Sequence, residues 1–278
     1  MSTPLPDLFT ALVDDAAVYP PGSAPLDEAV KQHRRHRAAP YASFVGPLLI
    51  PASSVAQAAE LVGPGEELAV GVVADAGLDS LRALPAGTPL NIAQVELAVA
   101  KRGEDPQPGL VAFIELLRGQ PDRMGFAEIP LTWGLLAALD TVASARDSGV
   151  RVAPKFRTGG LAAELFPTPI ELAAVICACR DRGLPFKLTA GLHHAIRHTD
   201  PETGFVHHGF LNVLVAAAHA ATDAEVAEVA AVLAGTDPVP LIEATRQMLH
   251  RDRPLWIGFG SCSVTEPLED LSRLGLLG

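Results

Sequence analysis

The feature that most constrains the fold of this chain is a regular alternation of short apolar runs with helical segments. Near-continuous apolar strands separated by helices are typical of a parallel sheet that is covered on both faces. We therefore predict an α/β fold, a (β/α)8 TIM-like barrel with an N-terminal extension, and keep an open doubly wound sheet as the alternative. Seven runs have the length and composition of buried strands, and they span residues 44–50, 68–74, 91–97, 125–130, 150–156, 186–190 and 255–259.

The eighth strand of such a barrel has two candidates. Residues 111–116 are apolar, but only the eight residues 117–124 would link them to the next strand. A parallel crossover needs about a dozen residues or more, so we expect a helix there. Residues 210–216 are the other candidate, although helices would fill that stretch equally well. The sequence therefore leaves the strand count at seven or eight.

Residues 1–40 lie outside the repeat. The segment Asp14–Gly22 contains Pro20 and Pro21, and a residue that precedes proline is displaced from helical conformation. We predict a single domain over residues 1–278, in which 1–40 form a strap or helical extension and 41–278 form the barrel.

Composition limits the partners and the location of the protein. The formal net charge is −11 at pH 7, whereas a nucleic-acid-binding face must be basic, so we expect no nucleic-acid partner. No apolar run reaches the roughly 18 residues of a membrane span, so no membrane association is expected. The N-terminal segment lacks a basic signal region, and the three cysteines are not spaced as a disulfide framework. We predict a cytoplasmic location, and the sequence leaves undecided whether the chain forms a homo-oligomer.

Two lysines occupy matching positions at the ends of neighbouring predicted strands. Lys155 and Arg157 end one strand, and Lys187 and Thr189 end the next. Residues two apart in a strand share a face, and the carboxyl end of the strands holds the active site in barrels. Two adjacent ammonium groups lower each other's pKa, which frees an amine to attack a carbonyl group. These strand ends therefore predict a catalytic site for a small anionic substrate.

Carboxylates and histidines accompany these lysines. Glu96 and Glu128 lie near the ends of two other predicted strands, and His193 and His194 follow the strand of Lys187. In one interpretation the two glutamates form a structural ion-pair network with the lysines. In another they bind Mg²⁺, Mn²⁺ or Zn²⁺ together with a histidine. Without a metal, we expect His193 to act as a general acid or base and Glu128 to contact the substrate.

A small-residue turn follows the last predicted strand. Gly260, Ser261 and Ser263 precede a helix, and backbone N–H groups at such a turn suit a phosphate or a carboxylate. We predict that this turn, Arg157 and Thr189 bind the substrate, and that the turn and Arg157 hold its anionic group. Cys262 lies in the same turn, but the sequence identifies no base beside it.

These motifs together resemble deoxyribose-phosphate aldolase over the C-terminal half of the chain. The resemblance rests on the Lys155 strand, the Lys187 strand with its Thr-Ala-Gly ending, and the final Gly-Phe-Gly-Ser-Cys-Ser. It implies that Lys155 forms a Schiff base, that Lys187 tunes it, and that the phosphate lies at Gly191, Ser261 and Ser263. The expected activity is that of a class I aldolase, a lyase for a small phosphorylated or carboxylated carbonyl compound that needs no cofactor.

Two other functions stay open. One is a lyase or isomerase that uses a divalent metal at Glu96, Glu128, His193 and His194 to stabilise an enolate. The other is a barrel that binds an anion without catalysis, in which the same cations serve affinity only.

Overall fold

The computed structural model describes residues 5–85 and 87–277. Within this part of the chain, eight parallel strands close into a barrel, which confirms the predicted (β/α)8 barrel over the open sheet. The barrel strands are β1 (Val13–Asp15), β2 (Val45–Pro51), β3 (Ala69–Val73), β4 (Asn91–Ala98), β5 (Met124–Glu128), β6 (Val152–Arg157), β7 (Phe186–Thr189) and β10 (Trp256–Ser261), and the loop after β7 carries a small hairpin of β8 (His198–Thr199) and β9 (Val206–His207). Around the barrel the strands follow the order β1-β10-β7-β6-β5-β4-β3-β2.

Helices fill the connections between the strands. In the described ranges 5–85 and 87–277, no helix combines the length and apolar character that crossing a membrane requires. The helices are α1 (Leu26–Ala38), α2 (Val55–Glu60), α3 (Leu78–Arg82), α4 (Gln107–Arg118), α5 (Leu135–Asp147), α6 (Pro169–Arg180), α7 (Phe210–Ala221), α8 (Val226–Ala234), α9 (Pro238–Arg246) and α10 (Thr265–Arg273).

The first barrel strand lies where we predicted a strap. Val13 in β1 pairs with Phe259 of β10 and with Val45 of β2, so β1 closes the barrel. The barrel therefore begins at residue 13, and its predicted start at residue 41 is wrong. Both sequence candidates for an eighth strand are helical, in α4 and α7. β1 escaped detection because it is three residues long and two of them are aspartates.

The register of the strands places charged residues side by side in the barrel. Glu128 of β5 pairs with Lys155 of β6, which pairs in turn with Lys187 of β7. Across the closing strand, Gly260 of β10 pairs with Thr189 of β7 and with Asp14 of β1. Because paired residues in parallel strands project in the same direction, the register assembles polar side chains at the carboxyl end of the barrel.

Candidate active site

A chain of ion pairs crosses the barrel interior. Lys187 Nζ contacts the Asp14 carboxylate and donates to Glu96 Oε1 at 2.5 Å. Lys155 Nζ donates to the second oxygen of Glu96, Oε2, at 2.6 Å. The Glu96 carboxylate thus binds two ammonium groups and connects β4 with β6 and β7, and Lys187 extends the connection to Asp14 of β1.

The series of ion pairs continues to the edge of the barrel. Lys155 Nζ lies 2.8 Å from Glu128 Oε2, and the Arg157 Nε atom donates to Glu128 Oε1 at 3.0 Å. At the other end, Gln94 Nε2 donates to Asp14 at 2.7 Å and to Glu96 at 3.0 Å. We call this set the interior charge network, and its members are Asp14, Gln94, Glu96, Glu128, Lys155, Arg157 and Lys187. Its carboxylates and cations balance, as the low dielectric of a barrel interior requires.

Burial and pairing set the protonation states of the network. Burial would raise the pKa of Glu96, but the charges of Lys155 and Lys187 outweigh burial and lower that pKa to about 2. Burial would lower the pKa of Lys155, but the charges of Glu96 and Glu128 outweigh burial and raise that pKa. At Asp14, burial dominates over Lys187 and raises the pKa. Lys155 is therefore an ammonium group at neutral pH.

This protonation state contradicts the predicted Schiff-base chemistry. An amine attacks a carbonyl group only when it is deprotonated, and Lys155 is held charged by two carboxylates. The prediction assumed that Lys155 and Lys187 face each other directly. In the structure Glu96 lies between them, so each lysine is paired with a carboxylate instead of with the other lysine. The assignment to the class I aldolases is wrong, and the predicted alternative of an ion-pair network with both glutamates describes these contacts.

The network opens into a cavity at the carboxyl ends of β4, β5 and β6. The cavity has a volume of about 340 Å³, and Glu128 and Arg157 lie in its wall. The Arg157 side chain is 43% exposed, whereas Glu128 is 16% exposed. Two further cations, Lys101 and Arg102, line the cavity from the loop after β4. A small anion that entered this cavity would meet the exposed end of the network.

Histidines of the loop after β7 do not join this network. His193 Nδ1 lies 2.8 Å from Glu266 Oε2, and its Nε2 lies 3.9 Å from Cys262 Sγ. His194 Nδ1 pairs with Asp270 Oδ2 at 3.2 Å. The predicted metal set of Glu96, Glu128, His193 and His194 is therefore not brought together. Over residues 5–85 and 87–277, no three histidine, cysteine, aspartate or glutamate side chains form a group suited to a metal ion.

The predicted anion-binding residues lie at the same end of the barrel, on neighbouring strands. Thr189 and Gly260 are register partners. Gly191 follows Thr189 and has a φ of +76°, and a Cβ atom there would lie 2.8 Å from the Thr158 carbonyl oxygen, so backbone packing requires glycine. Ser261 Oγ accepts from the Ser263 backbone N–H at 3.3 Å, which stabilises their own turn. Anion binding at this turn stays a prediction.

Sequence reasoning missed Asp14, Gln94, Lys101 and Arg102. Asp14 lay in the segment assigned to a strap, although its position directly after the apolar Leu12 and Val13 is a strand-end signal. Gln94 is two residues before Glu96, and that spacing puts both side chains on one face of β4. Lys101 and Arg102 lie in a loop, where no periodicity indicates which cavity a side chain lines.

Comparison with known proteins gives no family for the chain. No family model and no curated protein sequence matches it. A similar solved structure is a mutant of xylanase A from P fluorescens subsp. cellulosa in complex with xylopentaose, with 13% sequence identity and a TM-score of 0.41 over 91% of this chain and 86% of that chain.

Proposed function

We propose that this chain is an enzyme that catalyses proton transfer on a small anionic substrate at the carboxyl end of its barrel. The observation that carries the proposal is the position of Glu128. Its carboxylate contacts both Lys155 and Arg157 and also forms part of the cavity wall. An ionised carboxylate and a guanidinium group therefore meet at the cavity wall, and a buried ammonium group contacts the same carboxylate from the barrel interior.

Arg157 is suited to hold the anionic group of the substrate. Among the described residues only its Nε atom has a side-chain partner, Glu128, so both Nη groups are available. Two parallel N–H donors match the two oxygens of a carboxylate or a phosphate. Lys101 and Arg102 add positive charge to the same cavity. Of the acidic residues there, Glu171 is already bound to the backbone N–H of Thr168 at 2.7 Å, where it caps α6.

Glu128 and Lys155 are suited to the proton transfer itself. A substrate anion on the Nη groups of Arg157 lies beside Glu128, and its negative charge opposes the two cations that lower the pKa of that carboxylate, so Glu128 becomes a stronger base. Lys155 stays protonated and bound to the Glu128 carboxylate at 2.8 Å, which holds the base in position beside the cavity. General acid–base catalysis contributes about 10²- to 10⁴-fold to a rate, which sets the effect expected on losing Glu128.

Glycoside hydrolysis fits this network less well. Most glycosidases use one carboxylic acid with a raised pKa and one ionised carboxylate. Glu96 and Glu128 both contact Lys155, and the pKa of each is lowered. Neither is suited to donate a proton to a leaving group at neutral pH.

Hydrogen–deuterium exchange at carbon tests the proposal without knowledge of the complete reaction. The protein would be incubated in D₂O with a panel of small keto acids, hydroxy acids and phosphate esters, and loss of C–H signals would be followed by proton NMR. We expect wild type to exchange at least one member, and Glu128→Gln to exchange it about 100-fold more slowly or worse. Glu164→Gln is the matched control, because Glu164 lines the same cavity and lies outside the network.

Two results would contradict the proposal. One is a wild-type protein that exchanges no member of the panel. The other is exchange that proceeds in Glu128→Gln at the wild-type rate.

A further inference from the structure

Cys262, His193 and Glu266 form a cluster that the proposed proton transfer does not use. Cys262 follows β10, and His193 lies in the loop after β7, the strand that pairs with β10 in the barrel. Cys262 Sγ lies 3.9 Å from His193 Nε2, and His193 Nδ1 lies 2.8 Å from Glu266 Oε2. Strand order therefore brings the imidazole of His193 to a thiol and a carboxylate that lie four residues apart at the start of the last helix.

The order of contacts is that of an activated nucleophile. A nucleophile within reach of a base, with the base oriented by a third group, is the general arrangement of covalent catalysis. When Nδ1–H donates to Glu266, the opposite nitrogen, Nε2, faces Cys262 Sγ as the acceptor. Glu266 is itself held in place, because its backbone N–H donates to Ser263 Oγ at 3.2 Å.

Cys262 is accessible from solvent, in contrast to the other two cysteines. Cys262 is half-buried, and the side chains of His193 and Glu266 are 19% and 46% exposed. Cys177 and Cys179 are buried in α6, where burial raises the pKa of both thiols. Cys262, which has a base beside it, can therefore be compared with Cys177 and Cys179, which have none among the described residues.

We propose that Cys262 is a nucleophile that accepts an acyl group from a small activated ester or thioester, with His193 as its base and Glu266 as a positioning residue. This site is separate from the cavity beside Glu128, which lies over β4 to β6. It adds covalent chemistry to the same end of the barrel.

Acyl transfer through Cys262 has two stages, acylation of the sulfur and hydrolysis of the thioester. The proton of the Cys262 thiol passes to His193 Nε2, and the sulfur forms a bond to the acyl carbonyl carbon. The bond from that carbon to the alcohol or thiol leaving group breaks, and the leaving group takes the proton from His193. A thioester on Cys262 remains. Water then adds to this thioester, the carboxylic acid departs, and the thiol is restored.

The local charge supports this role for His193. Burial would lower the pKa of the imidazole, but the contacts with Cys262 and Glu266 outweigh burial and raise that pKa to about 9. His193 therefore retains the proton that it takes from the Cys262 thiol, and the resulting imidazolium stabilises the thiolate, which is the reactive form of cysteine.

Thiol alkylation tests the activation of Cys262. Iodoacetamide would be added at about pH 6.5, well below the usual thiol pKa of about 8.5, and the modified residues identified by peptide mass spectrometry. We expect Cys262 to react at least about tenfold faster than glutathione under the same conditions, and His193→Gln to remove that advantage. Cys177 and Cys179 serve as unreactive controls, and thermal melting reports whether each variant is folded. A Cys262 rate equal to that of glutathione, or unchanged in His193→Gln, would overturn the proposal.

Acyl transfer is tested with p-nitrophenyl acetate on the same proteins. We expect one acetyl group on Cys262, seen by intact mass and absent in Cys262→Ser. Acetylation should be slower in His193→Gln, and partly restored there by added imidazole, which a purely structural role for His193 would not produce. Rapid alkylation without any acetylation would overturn the assignment to acyl transfer.

Discussion

Lys155 donates a 2.6 Å hydrogen bond to Glu96, and the two side chains are 3% and 1% exposed. These residues come from β6 and β4, which are not neighbours in the barrel, so the contact spans its interior. A buried ion pair is stable only when both charges keep partners. Glu96 meets this condition through Lys187, and Lys155 meets it through Glu128.

Loss of the shared carboxylate is expected to destabilise the barrel strongly. Glu96→Gln would leave two buried ammonium groups with one carboxylate contact fewer each, which costs about 3–5 kcal/mol in the free energy of unfolding. Urea unfolding followed by circular dichroism measures this difference. Glu115→Gln is the matched control, because Glu115 pairs with Arg118 on an exposed face of α4, and such pairs contribute about 0–1 kcal/mol. Equal effects of the two substitutions would contradict the account.

The contribution of Glu96 should disappear in acid. Its pKa in the folded protein is about 2, below its ordinary value of 4.5. A lowered folded-state pKa stabilises the protein above the unfolded-state value, and this stabilisation is lost as the pH falls through the folded-state value. The difference in unfolding free energy between wild type and Glu96→Gln should thus be constant near neutral pH and shrink from about pH 4.5 downward. A difference that stays constant through that acid range would contradict this pKa shift.

Gly191 is expected to be required for packing. Its φ is +76° and a Cβ atom would lie 2.8 Å from the Thr158 carbonyl oxygen, whereas Gly204 has a φ of +71° and open space around it. Both Gly→Ala substitutions impose a left-handed conformation on alanine, but only Gly191→Ala adds a clash with backbone. We expect Gly191→Ala to lower the unfolding free energy by about 1–3 kcal/mol more than Gly204→Ala does. Thermal or urea unfolding of the two variants decides this, and equal losses would count against it.

Much of the barrel followed from local patterns, but its first strand did not. The seven predicted strands are apolar because both faces of a parallel strand are covered, and this pattern is visible in the chain itself. β1 is short, and Asp14 and Asp15 are polar because Asp14 binds Lys187 and Asp15 binds His33 at 3.0 Å. Its identity as a strand depends on pairing with β10, at the far end of the sequence.

The strands that carry the charged residues were predictable, whereas the pairing of those residues was not. The apolar runs correctly assigned Glu128, Lys155 and Lys187 to strands β5, β6 and β7. The reactivity of Lys155 depends on Glu96, a residue 59 positions away that reaches across the barrel. No local pattern shows which carboxylate will separate two lysines. The same limit hid the base of Cys262, because His193 lies 69 positions from it.

Anion affinity should depend on Arg157. Its exposed guanidinium group lies in the cavity wall beside Glu128. For any substrate that wild type exchanges, Arg157→Gln should raise KM by at least about tenfold, since charge-assisted hydrogen bonds are worth about 1.5–3 kcal/mol. Steady-state kinetics of exchange measure this, with Arg118→Gln on exposed α4 as the control. An unchanged KM would remove Arg157 from the binding site.

The most direct test of the account is the pKa of Lys155. Proteins labelled with ¹³C at lysine Cε would be titrated by NMR, and the Lys155 signal assigned by its absence in Lys155→Met. We expect this ammonium group to stay protonated above the ordinary lysine pKa of about 10.4, because Glu96 and Glu128 stabilise its charge. Titration of Lys155 below that ordinary value would contradict the account and restore the amine as a nucleophile.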